Sequence, residues 1–281
     1  GTNGLPPPLP LIFQVEHPGR QSFPSTPQVE ENMLRSIDEL NGYVLEARDG
    51  DIGRCKDFLF DDLDWTVRYM VADTGRWLPG RKVLISPLFL GDPAWESRHF
   101  PVVLTKEQIK EAPPLREDEP VSRQHEEVMF RYYGYPYYWA GNALWGPEAT
   151  PWELQARVEA AAPPPERKTG GDPHLRSAGE VTGYHIQASD GEMGHVEDFI
   201  LDDATWTLRY MVVDTRNWLP GRKVLVAPAW VEDFDWGQEK ALVALTQEQI
   251  KESPRFDPRT PINREYEDRL YDFYGRPVYW E

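Results

Sequence analysis

Nucleophilic chemistry needs a nucleophile, a base and an orienting group that converge, and this sequence offers one cysteine, Cys55, and six histidines. No His and Cys pair has the spacing of a zinc site. Carboxylates are more plentiful. Asp49, Asp51, Asp61, Asp62 and Asp64 crowd into turns where a hard cation could find oxygen ligands. Asp and Gly are also what such turns demand, and the twelfth-position Glu of an EF-hand loop is missing. Asp57 and Asp198 stand apart, because strand alternation puts Asp57 in phase with Cys55 and Leu59, and Asp198 with Val196 and Ile200, on the face expected to point inward. A buried carboxylate needs a cation, and Arg68 with Arg209, or Arg81 with Arg222, are the available ones. A structural ion pair is the expectation. The segment W-L-P-G-R-K places Trp77 beside Arg81 and Lys82, and again Trp218 beside Arg222 and Lys223. Trp and Arg dominate interface hot spots, so this composition suits a protein or RNA contact as well as a plain hairpin. Trp139 and Trp280, each preceded by Tyr, are further candidates, either as exposed anchors or as a clasp folded back on the body.

These candidates come in pairs because the chain repeats itself. Leu34-Arg35-Ser36 recurs at Leu175-Arg176-Ser177, and Trp139 recurs as Trp280, an unbroken offset of 280 − 139 = 141. Over positions 34 to 139, or 106 residues, 50 are identical without a gap. A period this long means two complete domains, not a solenoid of small units. The nucleophile candidates fail this internal comparison. Cys55 aligns with Val196, His195 with Arg54, His185 with Val44, His125 with Tyr266 and His99 with Lys240. A Cys that exchanges with Val reads as a small buried hydrophobe. The aspartate cluster thins in the second copy to Asp202 and Asp203 beside Ala204 and Thr205. No catalytic residue, metal site or cofactor is therefore expected from these candidates, and an enzyme would require a concave pocket holding perturbed groups.

With 30 Lys plus Arg against 47 Asp plus Glu the net charge is −17, a field that opposes nucleic-acid binding over the whole molecule. The single cysteine cannot close an intramolecular disulfide, and no stretch approaches the roughly 18 apolar residues of a membrane span. No secretory leader is visible at the start, and a reduced, cytoplasmic setting fits these features best. Residues 1–32 form a Pro-rich segment suited to extended polyproline II. The first copy then spans 33–139, a linker 140–174, and the second copy 175–281.

Within each copy the punctuation is that of a small antiparallel β structure. Tyr43 to Ala47 meets the hairpin signal Asp49-Gly50, a run follows from Gly53 to Phe60, and Trp65 to Asp73 alternates Trp65, Val67, Tyr69 and Val71 on one face. Pro79-Gly80 turns the chain into Lys82 to Ile85. Five or so short strands would leave exposed edges unless the sheet curls into a small barrel. Helix signals come next. Thr105 and Thr246 open capping boxes closed by Gln108 and Gln249, and Ser122 and Asn263 are N-caps of a second helix stopped by Gly134 and Gly275. In that helix Tyr266, Leu270, Phe273 and Tyr274 read as the apolar stripe. In the linker, Thr150-Pro151-Trp152-Glu153 predicts a short helix.

The order G-Y, D-G, G, D-F, D-D, W, R-Y, D-T, W-L-P-G-R-K-V-L, T-x-E-Q-I-K-x-x-P and Y-G-x-P-x-Y-W, present twice, resembles the PRC-barrel family. That family is named for the cytoplasmic domain of the photosynthetic reaction-centre H subunit, and its barrel also ends a ribosome maturation factor. The resemblance implies a mainly β fold with α extensions: two tandem small PRC-type barrels, each followed by short helices. Two copies can bury against each other the aromatic surface that one alone would expose, so a pseudo-dimer arrangement is expected. It also implies a non-enzymatic adaptor that docks a partner protein or regulates complex assembly, with photosynthetic or electron-transfer complexes as the family link. The alternative is an RNA or ribosome-processing adaptor, which needs Arg81-Lys82 and Arg222-Lys223 on one continuous exposed face. The sequence leaves open a monomer with internal pseudo-symmetry and a homo-oligomer.

Overall fold

The computed structural model describes residues 34–91, 93–116, 120–158, 175–215 and 222–280. The Pro-rich segment, the end of the linker and Trp218 lie outside them. The chain divides into two compact units whose boundaries do not follow the repeat, because the segment Asn32–Leu40 belongs to the second. Its elements, β1 (Leu34–Ser36) and α1 (Ile37–Leu40), are taken with that unit below.

The first unit is a mixed sheet with helices. Strands β2 (Val44–Ala47), β3 (Gly50–Asp61), β4 (Val67–Asp73), β5 (Val83–Ile85) and β6 (His99–Val102) follow the path β5-β4-β3-β2-β6. Neighbours are antiparallel except β2 and β6, which run parallel, a departure from the all-antiparallel reading that the long crossover between them permits. Strand β3 is broken by bulges. Cys55 faces Ala72 and Asp57 faces Val71, so Lys56 is an extra residue and the alternation changes phase there. Cys55 is buried, Asp57 only half-buried, and Phe58 wholly buried, which overturns the expectation that Asp57 shares the inward face with Cys55. A second irregularity near Ile52 requires Gly53, at φ +137°, where a Cβ would stand 2.1 Å from the Asp73 carbonyl oxygen. Trp65 does not start β4 as the alternation suggests. It sits at φ +56° in the turn and stacks on Phe60 with ring centroids 4.8 Å apart.

The helical signals are realised as read. α2 (Lys106–Glu111) carries the Thr105/Gln108 capping box, and α3 (Arg123–Tyr133) starts on Ser122 and ends on left-handed Gly134. α4 (Pro151–Val158) is the helix predicted in the linker, and it packs against the short 3-10 turn Pro87–Phe89. The chain before it turns at Gly146, and Trp145 and Leu154 are wholly buried, so this stretch supplies core to the first unit.

Strand β7 (Leu175–Ser177) contains the boundary between the units. The second unit then repeats the plan with α5 (Ala178–Val181), β8 (His185–Ala188), β9 (Gly191–Asp202), β10 (Thr207–Asp214), β11 (Lys223–Val226), β12 (Val231–Asp235) and β13 (Lys240–Val243). Its sheet follows β11-β10-β9-β8-β13-β12, with β1 paired antiparallel to β9 beside that path. Ile37 and Leu40 of α1 are buried. α6 (Gln247–Glu252) and α7 (Arg264–Tyr274) match α2 and α3, including the capping box and the left-handed Gly275. The buried side of α7 is Glu267, Leu270 and Tyr271, whereas Phe273 is 40% exposed. The apolar stripe read from the sequence is thus rotated, because a carboxylate occupies the inward face. Each unit is mainly β, and no helix among the described residues is long and apolar enough to cross a membrane.

Candidate functional site

The rotation of α7 leads to the site, because a glutamate is buried at the same place in both units. Glu126 lies in the first turn of α3, where a negative charge also suits the helix dipole, and its exposure is 0%. Its Oε1 accepts hydrogen bonds from the hydroxyls of Tyr69 on β4 at 3.1 Å and Tyr138 at 2.8 Å, and Oε2 pairs with Arg123 at 3.2 Å. Burial, and then the charge of Glu126, push both phenols well above the ordinary tyrosine range. The guanidinium of Arg68 lies 3.9 Å from the Tyr138 ring centre. It pairs with Asp61 at 3.8 Å and Asp64 at 3.6 Å, and burial draws its pKa below the usual arginine value. Arg123 lies 4.0 Å from the Trp139 ring centre and 5.3 Å from that of Tyr138, so both arginines meet aromatic rings beside the buried carboxylate.

The second unit rebuilds the same network at the offset of 141. Glu267 accepts from Tyr210 at 2.7 Å and Tyr279 at 2.8 Å and pairs with Arg264 at 2.9 Å. Arg209 lies 4.0 Å over Tyr279, and Arg264 lies 4.0 Å over Trp280. Arg209 binds Asp202 through Nε at 3.0 Å and Nη2 at 2.7 Å. The ion pairs expected for Arg68 and Arg209 therefore exist with other partners. Asp61 and Asp202 end the long strands β3 and β9, whereas the bulges turn Asp57 and Asp198 away from these arginines. Asp57 accepts from its neighbour Phe58 N at 2.8 Å. Asp198 accepts from Ser36 Oγ at 2.5 Å and Asp38 N at 3.1 Å, and burial raises its pKa.

The hairpin candidates have separate fates. Arg81 is half-buried and donates to the carbonyls of Ile109 at 3.2 Å, Lys110 at 2.6 Å and Ala112 at 2.5 Å, closing the C-terminus of α2. Arg222 likewise reaches the carbonyl of Ser253 after α6, and Lys223 pairs with Glu197 at 2.6 Å. Trp77 is half-buried with the Lys106 ammonium 5.1 Å from its ring, and Lys82 is half-buried at the start of β5, where its amide donates to Leu115 O at 2.9 Å. Trp139 and Trp280 fold back on α3 and α7 and are half-buried, Trp139 edge-on to Phe130 at 5.5 Å and Trp280 edge-on to Tyr271 at 5.0 Å. Cys55 is buried and its thiol is pushed far up by desolvation, the opposite of an activated thiolate. Among the described residues no three His, Cys, Asp or Glu side chains gather as metal ligands.

Sequence reasoning passed over Glu126 and Glu267, Tyr69 and Tyr210, Arg123 and Arg264, and Trp145. The usable signal was a glutamate repeated on the inward side of a helix, with Arg three residues before it and Tyr twelve after it in both copies. No family model matches this chain, and no curated protein matches it.

Proposed function

We propose that the chain is a non-enzymatic adaptor whose two units are PRC-type barrels and whose task is to dock a partner protein. The observation that carries this reading is the duplicated Arg-Trp pair. Arg123 on Trp139 and Arg264 on Trp280 each hold a half-buried indole at 4.0 Å, and each arginine is paired with a buried glutamate. Preordered, partly exposed Trp and Arg are the composition of interface hot spots, since little side-chain entropy remains to be lost on binding. The charged groups of the site are engaged with each other, an arrangement that serves rigidity. The RNA alternative is less favoured, because Arg81 and Arg222 are turned onto helix carbonyls and Lys223 onto Glu197.

The test is affinity capture by the full chain from its native lysate at two salt concentrations, beside a Trp139→Ala plus Trp280→Ala chain shown by circular dichroism to be folded. A discrete protein set lost by the double variant supports the reading. Ribosomal RNA that washes off with salt would favour the alternative, and an empty capture would count against both.

A further inference from the structure

The second unit contains a strand that its own repeat does not encode. Leu34-Arg35-Ser36 and Leu175-Arg176-Ser177 head the two repeats with the same three residues. The edge of β9 at residues 200–202 is paired with the copy from the first repeat, Leu34 opposite Asp202, Arg35 opposite Leu201 and Ser36 opposite Ile200. Polar contacts fix this register. Arg35 Nε donates to Asp203 Oδ2 at 2.9 Å, Ser36 Oγ donates to Asp198 Oδ2 at 2.5 Å, and the Asp38 amide donates to Asp198 Oδ1 at 3.1 Å. Ser36 Oγ in turn accepts from the Glu39 amide at 3.2 Å and so starts α1, whose Ile37 and Leu40 are buried. The acceptor is duplicated as well as the donor, since Asp57 and Asp62 hold the places of Asp198 and Asp203 in the first repeat. The hold of the first unit begins at the next residue. The Asn41 carbonyl accepts from Arg98 Nη2 at 3.1 Å, and Gly42 donates its amide to Cys55 O at 2.7 Å while its carbonyl accepts from Arg54 Nη1 at 2.8 Å. The chain thus passes from one unit to the other between Leu40 and Asn41.

We propose that this edge of β9 is a strand-accepting site for a Leu-Arg-Ser segment followed by a helical turn, and that a second copy of this chain fills it by exchanging residues 34–40. Main-chain pairing supplies the affinity of such strand addition, and the two aspartates supply its selectivity by reading a guanidinium and a hydroxyl on adjacent residues. The seating contacts are made by residues 34–40 themselves, so a donor from another copy rebuilds them unchanged, and only the backbone joining Leu40 to Gly42 takes a new path. Gly42 permits that path, standing at φ +82° with no atom within 4 Å of where a Cβ would lie. Each copy carries donor and acceptor, so no third component is needed, and exchange competes with closure inside one chain through concentration. This site and the adaptor reading are independent of one another.

The experiment uses two full-length chains, one carrying Arg35→Cys and the other Leu201→Cys, both with Cys55→Val, the residue that the second repeat has at that place. Arg35 and Leu201 lie directly opposite each other, a spacing that a disulfide can bridge. The two chains are mixed in urea, refolded together, oxidised and separated on a non-reducing gel. The expected result is a disulfide-linked pair of the two different chains, its fraction rising about tenfold between about 0.01 and about 0.1 mM chain. That fraction should fall at least about fivefold when the Leu201→Cys chain also carries Asp198→Ala, which removes the acceptor of Ser36. A chain carrying both Arg35→Cys and Leu201→Cys should close on itself at low concentration, which fixes the register. Closure of that chain with no linked pair from the mixture at any concentration would overturn the proposal. Linkage of Arg35→Cys chains to one another as readily as to Leu201→Cys chains would also overturn it. So would failure of the doubly substituted chain to close, since β1 would not then hold this place.

Discussion

Replacing Glu126 with Ala should be among the most damaging single changes to the first unit. The carboxylate has no exposure and accepts from two phenols, at 3.1 Å from Tyr69 and 2.8 Å from Tyr138. Hydrogen bonds to a charged acceptor contribute about 1.5–3 kcal/mol each, and a buried hydroxyl left unpaired costs about 1–3 kcal/mol. Arg123, being 14% exposed, can turn toward solvent, so its loss is partly relieved. The expected total is about 3–5 kcal/mol, the range for breaking a buried charged network. Glu126→Gln keeps the volume and one acceptor oxygen and should cost about 1–2 kcal/mol. The assay is urea denaturation followed by near-ultraviolet circular dichroism, with hydrogen exchange of β4 and α3 assigning the loss to this unit. A double-mutant cycle with Tyr138→Phe should show coupling of about 1–3 kcal/mol between the two residues. A cost below about 1 kcal/mol for Glu126→Ala would refute the claim that this carboxylate organises the site.

The phenols set an alkaline limit. Burial pushes Tyr274 up to about 12 and also raises Tyr69, Tyr138, Tyr210 and Tyr279, while an unfolded tyrosine ionises at about 10. The folded chain keeps protons that the unfolded chain releases, so this contribution is whole below about pH 10 and is lost as pH rises beyond it. Phenolate absorbance should therefore appear together with loss of circular dichroism, and ordinary titration of all tyrosines in the folded chain would contradict the burial. Leu40→Ala, though it lies in the first repeat, should destabilise the second unit by about 2–5 kcal/mol, read as increased hydrogen exchange in β9. Gly194→Ala should cost about 2 kcal/mol or more in thermal stability, since at φ +151° its Cβ would stand 2.1 Å from the Asp214 carbonyl oxygen. An unchanged melting temperature would show that the bulged backbone can shift freely.

The parts of this fold that local chemistry determines could be read from the residues. The capping boxes at Thr105 and Thr246 and the stops at Gly134 and Gly275 depend on neighbours three or four positions away, and all four stand where they were expected. What failed depended on long-range events. The extra residue Lys56 reverses the phase of β3, so alternation alone assigned Asp57 to the wrong face. Strand β1 pairs with β9 across a sequence separation that no local pattern encodes. At the site, Glu126 and Glu267 were passed over because a charged residue on a helix is ordinarily taken as solvated. Only the partners on β4, β10 and the terminal Tyr-Trp explain their burial. Arg68 and Arg209 pair with Asp61 and Asp202, not with the expected Asp57 and Asp198.

The duplication also marks which contacts the fold depends on. Both units preserve the glutamate with its two phenols and its Arg-Trp layer. Tyr279 and Arg209 hold the same stacking distance as Tyr138 and Arg68, 4.0 Å against 3.9 Å. Cys55 and the histidines exchange between the copies while this network is kept in both, because a buried carboxylate and phenols that satisfy one another are costly to lose singly.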